Sequence, residues 1–270
     1  MPRHLSMPNL LAAVLFCVSL QLQAGIPVTA IRQPGAPLDP SLRNEADHAA
    51  DLAASWLAAH QGADGSWGSE TDRVWRTSIT LLALTARANL YSDACARAAV
   101  WLDSHVPAAE EGPGAYAWRA IALLSIVPDA SARAKLAQRL FQESRAYVQP
   151  TNAPFFKRAL WDDARALAGG PPAPPPEKET ARELSALAVN AQRLSGGSPC
   201  RSWFDVRLIN RASQGNLERD GKPLDWRRAV AENLVNTQRR DPAGGGFWVA
   251  PTADSEIAET AFGLLTLLEL

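Results

Sequence analysis

Two glutamates three residues apart, Glu256 and Glu259 in "EIAET", open an apolar run. At that spacing they share one face of a helix. In a dry setting their mutual repulsion would raise one pKa and make a proton donor. Acids in the first turn of a helix also complement its macrodipole, and that simpler role is preferred. A second pattern is Trp followed by Arg at the start of two other apolar runs. These are Trp75-Arg76 in "RVWRTS" and Trp118-Arg119 in "YAWRA". Such rings would line a cavity and stack on a planar or cyclic ligand, although core packing is the simpler use. The guanidinium groups would then meet an anionic ligand or neutralise nearby acids such as Asp72.

Other chemistries find no support. Asp162-Asp163 in "WDDARA" lacks a third acid at the spacing a metal motif needs. His48, His60 and His105 stand in no ligand-like spacing with Cys95 or Cys200, so neither a metal nor a cofactor is expected. There is no phosphate loop, dinucleotide fingerprint or GxSxG elbow.

The elements that must position these residues are helical. Residues 45–60, 93–105 and 131–147 carry one apolar stripe at helical spacing. Residues 77–90 and 116–127 are apolar on most sides, as a helix buried between others would be. Residues 155–168 and 179–195 also read as helices, whereas "RSWFDVRLI" (201–209) stays open between helix and strand. The expected fold class is all-α. Residues 25–42 form an extended, proline-containing leader. The run "GGPPAPPPEKE" marks a proline-rich linker over 169–178, between helical segments at 43–168 and 179–270.

The chain has 270 residues, 47% hydrophobic and 20% charged, with a formal charge of −1. That is a globular composition with nothing to steer it toward nucleic acid or an anionic membrane. Residues 1–24 read as a signal peptide, with Arg3 before the apolar "LLAAVLFCVSL" and Ala24 at the cleavage position. Phe16 before Cys17 argues against lipidation. No later stretch is long enough to span a membrane, so an exported protein, periplasmic or extracellular, is expected. Cys95 and Cys200 would then share a compartment that permits a disulfide, and sequence leaves open whether they meet.

Nine Trp against three Tyr ask for an explanation, and an internal repeat supplies one. Trp56-Leu57, Gln61, Asp64-Gly65-Ser66-Trp67 and Thr77-Ser78 precede Leu81-Leu82. Asn233-Leu234, Gln238, Gly245-Gly246-Phe247-Trp248 and Thr260-Ala261 precede Leu264-Leu265. A degenerate copy has Trp101-Leu102, Gly112-Pro113-Gly114, Tyr116, Ala120 and Leu123-Leu124. Each unit is an amphipathic helix, a Gly-containing turn with an aromatic residue, and a strongly apolar helix. That pattern predicts stacked helical hairpins. Gln61 and Gln238 would satisfy backbone groups at the turns, with Trp67 and Trp248 packed over them. Ser69-Glu70-Thr71-Asp72 matches a capping box.

"WLAAHQGADGSWG" and "LVNTQRRDPAGGGFW" resemble the QW motif of the squalene-hopene and oxidosqualene cyclase family. The resemblance covers 43–127 and 226–270. It implies an α/α toroid whose inner helices wall a central cavity, in a superfamily that includes protein prenyltransferase β subunits. The family's DxDD acid segment sits just before the inner-helix Thr-Ala. Here "RVWR" precedes Thr77 and "EIAE" precedes Thr260, so the central aspartates are absent. The resemblance therefore implies a binding or scaffold module for a hydrophobic ligand more readily than an enzyme. The alternatives are a divergent cyclase using Glu256 and Glu259 or an exported polysaccharide-active toroid. Residues 43–270 accommodate about four or five hairpins. The toroid is thus expected to be partial, with a protein partner or self-association covering the exposed helices.

Overall fold

The computed structural model describes residues 38–69, 72–108, 111–144, 155–170, 177–213 and 217–270. The expected signal peptide, the leader up to residue 37 and most of the proline-rich linker lie outside them. The fold is all-α. Among the described residues ten α-helices run in order: α1 (Pro40–Ala59), α2 (Arg73–Thr85), α3 (Ala88–Ser104), α4 (Gly112–Ser125) and α5 (Ala130–Glu143), then α6 (Phe155–Leu167), α7 (Glu177–Val189), α8 (Pro199–Ser213), α9 (Trp226–Thr237) and α10 (Ala253–Glu269). Two short antiparallel pairs accompany them, Glu218–Arg219 with Lys222–Pro223 and Arg239–Arg240 with Gly246–Phe247. None of the described helices is long and apolar enough to cross a membrane.

Helix boundaries follow local chemistry. Pro40 stands in the first turn of α1, where its missing N–H costs nothing, and Asp39 caps it by accepting from the Leu42 amide at 3.1 Å. The helix thus begins inside the segment expected to be leader. Asp129, Asp225 and Thr252 cap α5, α9 and α10 in the same way. The expected capping box before α2 does not form: Asp72 sits in the left-handed region at φ 61° and makes no side-chain cap bond. Ser69 turns instead to Asp254 of α10 with both its amide and its hydroxyl, while Glu70 and Thr71 lie outside the described residues. The ambiguous stretch 201–209 is helix, within α8.

Helices with one buried stripe alternate with helices buried nearly all round. In α1 the core face is Leu42, Ala46, Ala49, Ala50, Ala53, Ala54, Trp56 and Leu57. In α2 every residue from Thr77 to Thr85 is buried, and α10 is buried through most of its length. The buried helices pack in series: α8 on α10, α10 on α2, α2 on α4, and α4 on α6. Arg207 of α8 reaches Asp163 of α6 through a buried ion pair. The half-buried helix α1 packs on α2, α9 and α10, so the first and last hairpins touch.

Candidate functional site

The two QW-like turns are the clearest built feature. Gln61 Nε2 donates to the Gly65 carbonyl and to the Ala94 carbonyl of α3, both at 2.8 Å, and its oxygen accepts from Arg97. Gln238 Nε2 donates to the Ala49 carbonyl of α1 at 2.8 Å. Each glutamine thus ties its turn to a neighbouring half-buried helix. Trp67 Nε1 donates to the Leu57 carbonyl at 2.7 Å, and Trp248 Nε1 donates to the Leu234 carbonyl at 3.0 Å. Their backbone amides donate to Thr77 and Thr260 hydroxyls at 3.0 and 3.2 Å. Gly65 (φ 92°) and Gly245 (φ 88°) are also equivalent. A β-carbon on the first would stand 2.8 Å from the Arg97 backbone, and one on the second 2.9 Å from the Trp56 backbone. Asp64 accepts from Ser66 and pairs with Arg73 at 2.6 Å. Burial pushes its carboxyl up, but the Ser66 bonds and Arg73 outweigh that and hold it below its ordinary value.

The degenerate copy solves the same problem with another residue. Arg119, 1% exposed, donates through Nε to the Leu102 carbonyl at 2.8 Å, the position that Trp67 serves for Leu57. It also donates to the Asp103 carbonyl and pairs with Glu143 at 2.5 Å. Its guanidinium is therefore engaged within the fold. Arg76 lies against Asp72 and Asp254, at 3.7 and 3.5 Å, and over the Trp75 ring at 5.5 Å.

An aromatic cluster gathers side chains from four buried helices. Trp118 of α4 and Trp203 of α8 stand 5.2 Å apart, and Phe262 of α10 lies 5.8 and 5.4 Å from them. Phe204 meets Trp203 at 4.9 Å and Phe262 at 5.8 Å, and Trp75 of α2 approaches Phe262 at 6.5 Å. Trp118, Trp203 and Phe262 are buried, while Trp75 and Phe204 are only partly so. The structure thus brings Trp75 and Trp118 to one cluster around Phe262. It does not bring Arg119 there with them.

One helical turn before Phe262, Glu259 stands at the start of α8. It accepts from the Cys200 amide at 2.8 Å and from Ser198. Burial raises its carboxyl above the ordinary glutamate range, against the pull of those two bonds. Glu111 is placed similarly at the start of α2, near the Val74 and Trp75 amides and accepting from Ala108 at 3.1 Å. Burial and then Asp72 raise it. Glu256 is half-buried in the first turn of α10.

The Cys95–Cys200 disulfide is absent. Both residues are free thiols on different helices, and burial pushes each up to about 12. Asp162 pairs with Arg165 at 3.1 Å and Asp163 with Arg207. No group of three or more His, Cys, Asp or Glu able to hold a metal ion occurs among the described residues.

Sequence reasoning missed Trp203, Phe204 and Phe262. Their helix was ambiguous or their residues looked like ordinary core. It also missed a second repeat signal, Trp-x-x-x-His. His60 stacks on Trp56 at 3.9 Å and His105 on Trp101 at 4.0 Å, each imidazole also meeting the Trp carbonyl. No protein-family model matches the chain, and no curated protein matches it.

Proposed function

We propose that this chain is a squalene-cyclase-like α/α toroid of five hairpins, exported, and acting as a non-catalytic module for an apolar ligand. The toroid reading is supported by the repeat contacts. Gln238 and Gly245 treat α1 as Gln61 and Gly65 treat α3. That is the relation expected if α1 follows α9 around a ring. A ring closed this way covers its apolar helices, which favours a small apolar ligand over self-association.

The observation that carries the binding reading is the cluster of Trp75, Trp118, Trp203, Phe204 and Phe262. It is contributed by four helices and partly open at Trp75 and Phe204. Aromatic faces drawn from several helices suit a cyclic apolar ligand. Catalysis is disfavoured because Glu259 spends its carboxylate on the start of α8. The expected result is saturable quenching of tryptophan fluorescence by cyclic apolar compounds, weakened in Trp75→Ala. Turnover of squalene or a prenyl diphosphate by the protein freed of residues 1–24 would overturn the non-catalytic reading.

A second reading has one observation behind it. Burial raises the Glu259 carboxyl above its ordinary value, the direction that a general acid needs. Loss of such turnover in Glu259→Gln would establish that enzyme.

A further inference from the structure

Three tryptophan N–H groups have firm acceptors. Trp56 donates to Asp241 at 2.9 Å, Trp67 to Leu57 and Trp248 to Leu234. Trp203 differs. It is 1% exposed, its Nε1 is buried, and that N–H has no hydrogen-bond partner. Buried donors are rarely left so, because an unmade hydrogen bond forfeits the group's hydration without return. The rings packed around it cannot help. Phe204 and Phe262 carry no acceptor, and the Trp118 nitrogen is only a donor.

Charge near the indole narrows the missing acceptor. Arg207 lies over the Trp203 ring at 4.6 Å. It already faces Asp163 and, at 3.8 Å, Glu269. An arriving anion would place a third negative charge on one guanidinium in a poorly solvated site. A neutral oxygen, a ketone above all, has lone pairs and no charge to desolvate.

We propose that the ligand of the aromatic site is an apolar ring compound bearing one neutral oxygen acceptor, received by Trp203 Nε1–H. Trp203 is then the residue that distinguishes the oxygenated ligand from its parent hydrocarbon. Trp75 and Phe204 are the partly exposed rings of that cluster. This inference rests on the apolar-ligand reading above and adds its polar group.

The test compares tetralin with 1-tetralone, which share a ring skeleton and differ by one carbonyl. Binding is followed by calorimetry and by the indole 1H–15N spectrum, with the Trp203 signal assigned by its loss in Trp203→Phe. One neutral hydrogen bond corresponds to about a five- to tenfold preference for the ketone. Only the ketone should move the Trp203 N–H signal. Trp203→Phe should abolish the preference, so that the variant binds ketone and hydrocarbon alike. Should that variant fail to fold, the wild type decides, with its Trp203 indole signal assigned by through-space contacts to Trp118 and Phe262. Equal affinities with an unmoved Trp203 signal would overturn this inference and leave apolar binding standing. A ketone preference that survives in Trp203→Phe would also overturn it. Binding of neither probe would remove the apolar-ligand reading and this one together.

Discussion

Trp67→Phe keeps one aromatic ring but deletes the indole N–H with part of its packing, leaving the buried Leu57 carbonyl without its donor. The expected loss is about 1–3 kcal/mol in urea unfolding. An unchanged midpoint would show that the bond to Leu57 adds nothing to stability. Arg207→Met acts through charge. Asp163 and Glu269 are nearly fully buried beside that guanidinium, and the substitution takes away a buried cation that both face. The expected cost is about 3–5 kcal/mol. Burial lowers the Arg207 pKa, with Glu269 opposing, yet an arginine stays charged at any ordinary pH. Glu259 titrates instead. Its folded-state pKa is raised, chiefly by burial. Between its unfolded and folded values the native state binds more protons than the unfolded state. Stability from this group is therefore full below the ordinary glutamate value and declines as pH rises through the folded one. Glu259→Gln should flatten that part of the stability–pH curve. A curve of unchanged slope would contradict the assignment.

At the scale of the element, the two QW-like turns make a matched pair, and the pairing is testable. Gly65→Ala and Gly245→Ala each place a β-carbon inside contact distance of a neighbouring helix backbone, at positive φ. Each should destabilise by about 1–3 kcal/mol, and by similar amounts. Melting temperatures for the two variants decide this, and a harmless substitution at only one would break the equivalence. Their helices were legible because the stripe in α1 and the all-round apolar runs in α2 and α10 are local periodicities. The start of α2 was not legible. Ser69 suits a cap, but Asp254 competes for it with two oxygens from 185 residues away. Arg119 looked like a cation for a ligand because its neighbours in sequence resemble those of Arg76. Its true partners, the Leu102 and Asp103 carbonyls and Glu143, come from other helices.

For the whole molecule, contact between the first and last hairpins predicts one cooperative transition. Unfolding followed by tryptophan fluorescence and by helical circular dichroism should coincide. In a linear stack, by contrast, end hairpins can unravel first. Gln238→Ala removes the tie to α1, and Asp254→Ala removes the tie to Ser69 and Arg76. Either should lower the single midpoint, and a biphasic curve in the wild type would argue against a closed arrangement. The sequence by itself determined the all-α class, the repeat, and the place of Trp67 and Trp248 at its turns. Those depend on periodicity and turn chemistry within one hairpin. Only the tertiary structure decided that Cys95 and Cys200 stay apart, that Glu259 serves the start of α8, and that Trp203 sits unpaired among rings. Each outcome depends on partners that the chain brings together across its length. Glu259 meets Cys200 over a separation of 59 residues and Arg207 meets Asp163 over 44. No local pattern encodes which distant side chain wins such a contact.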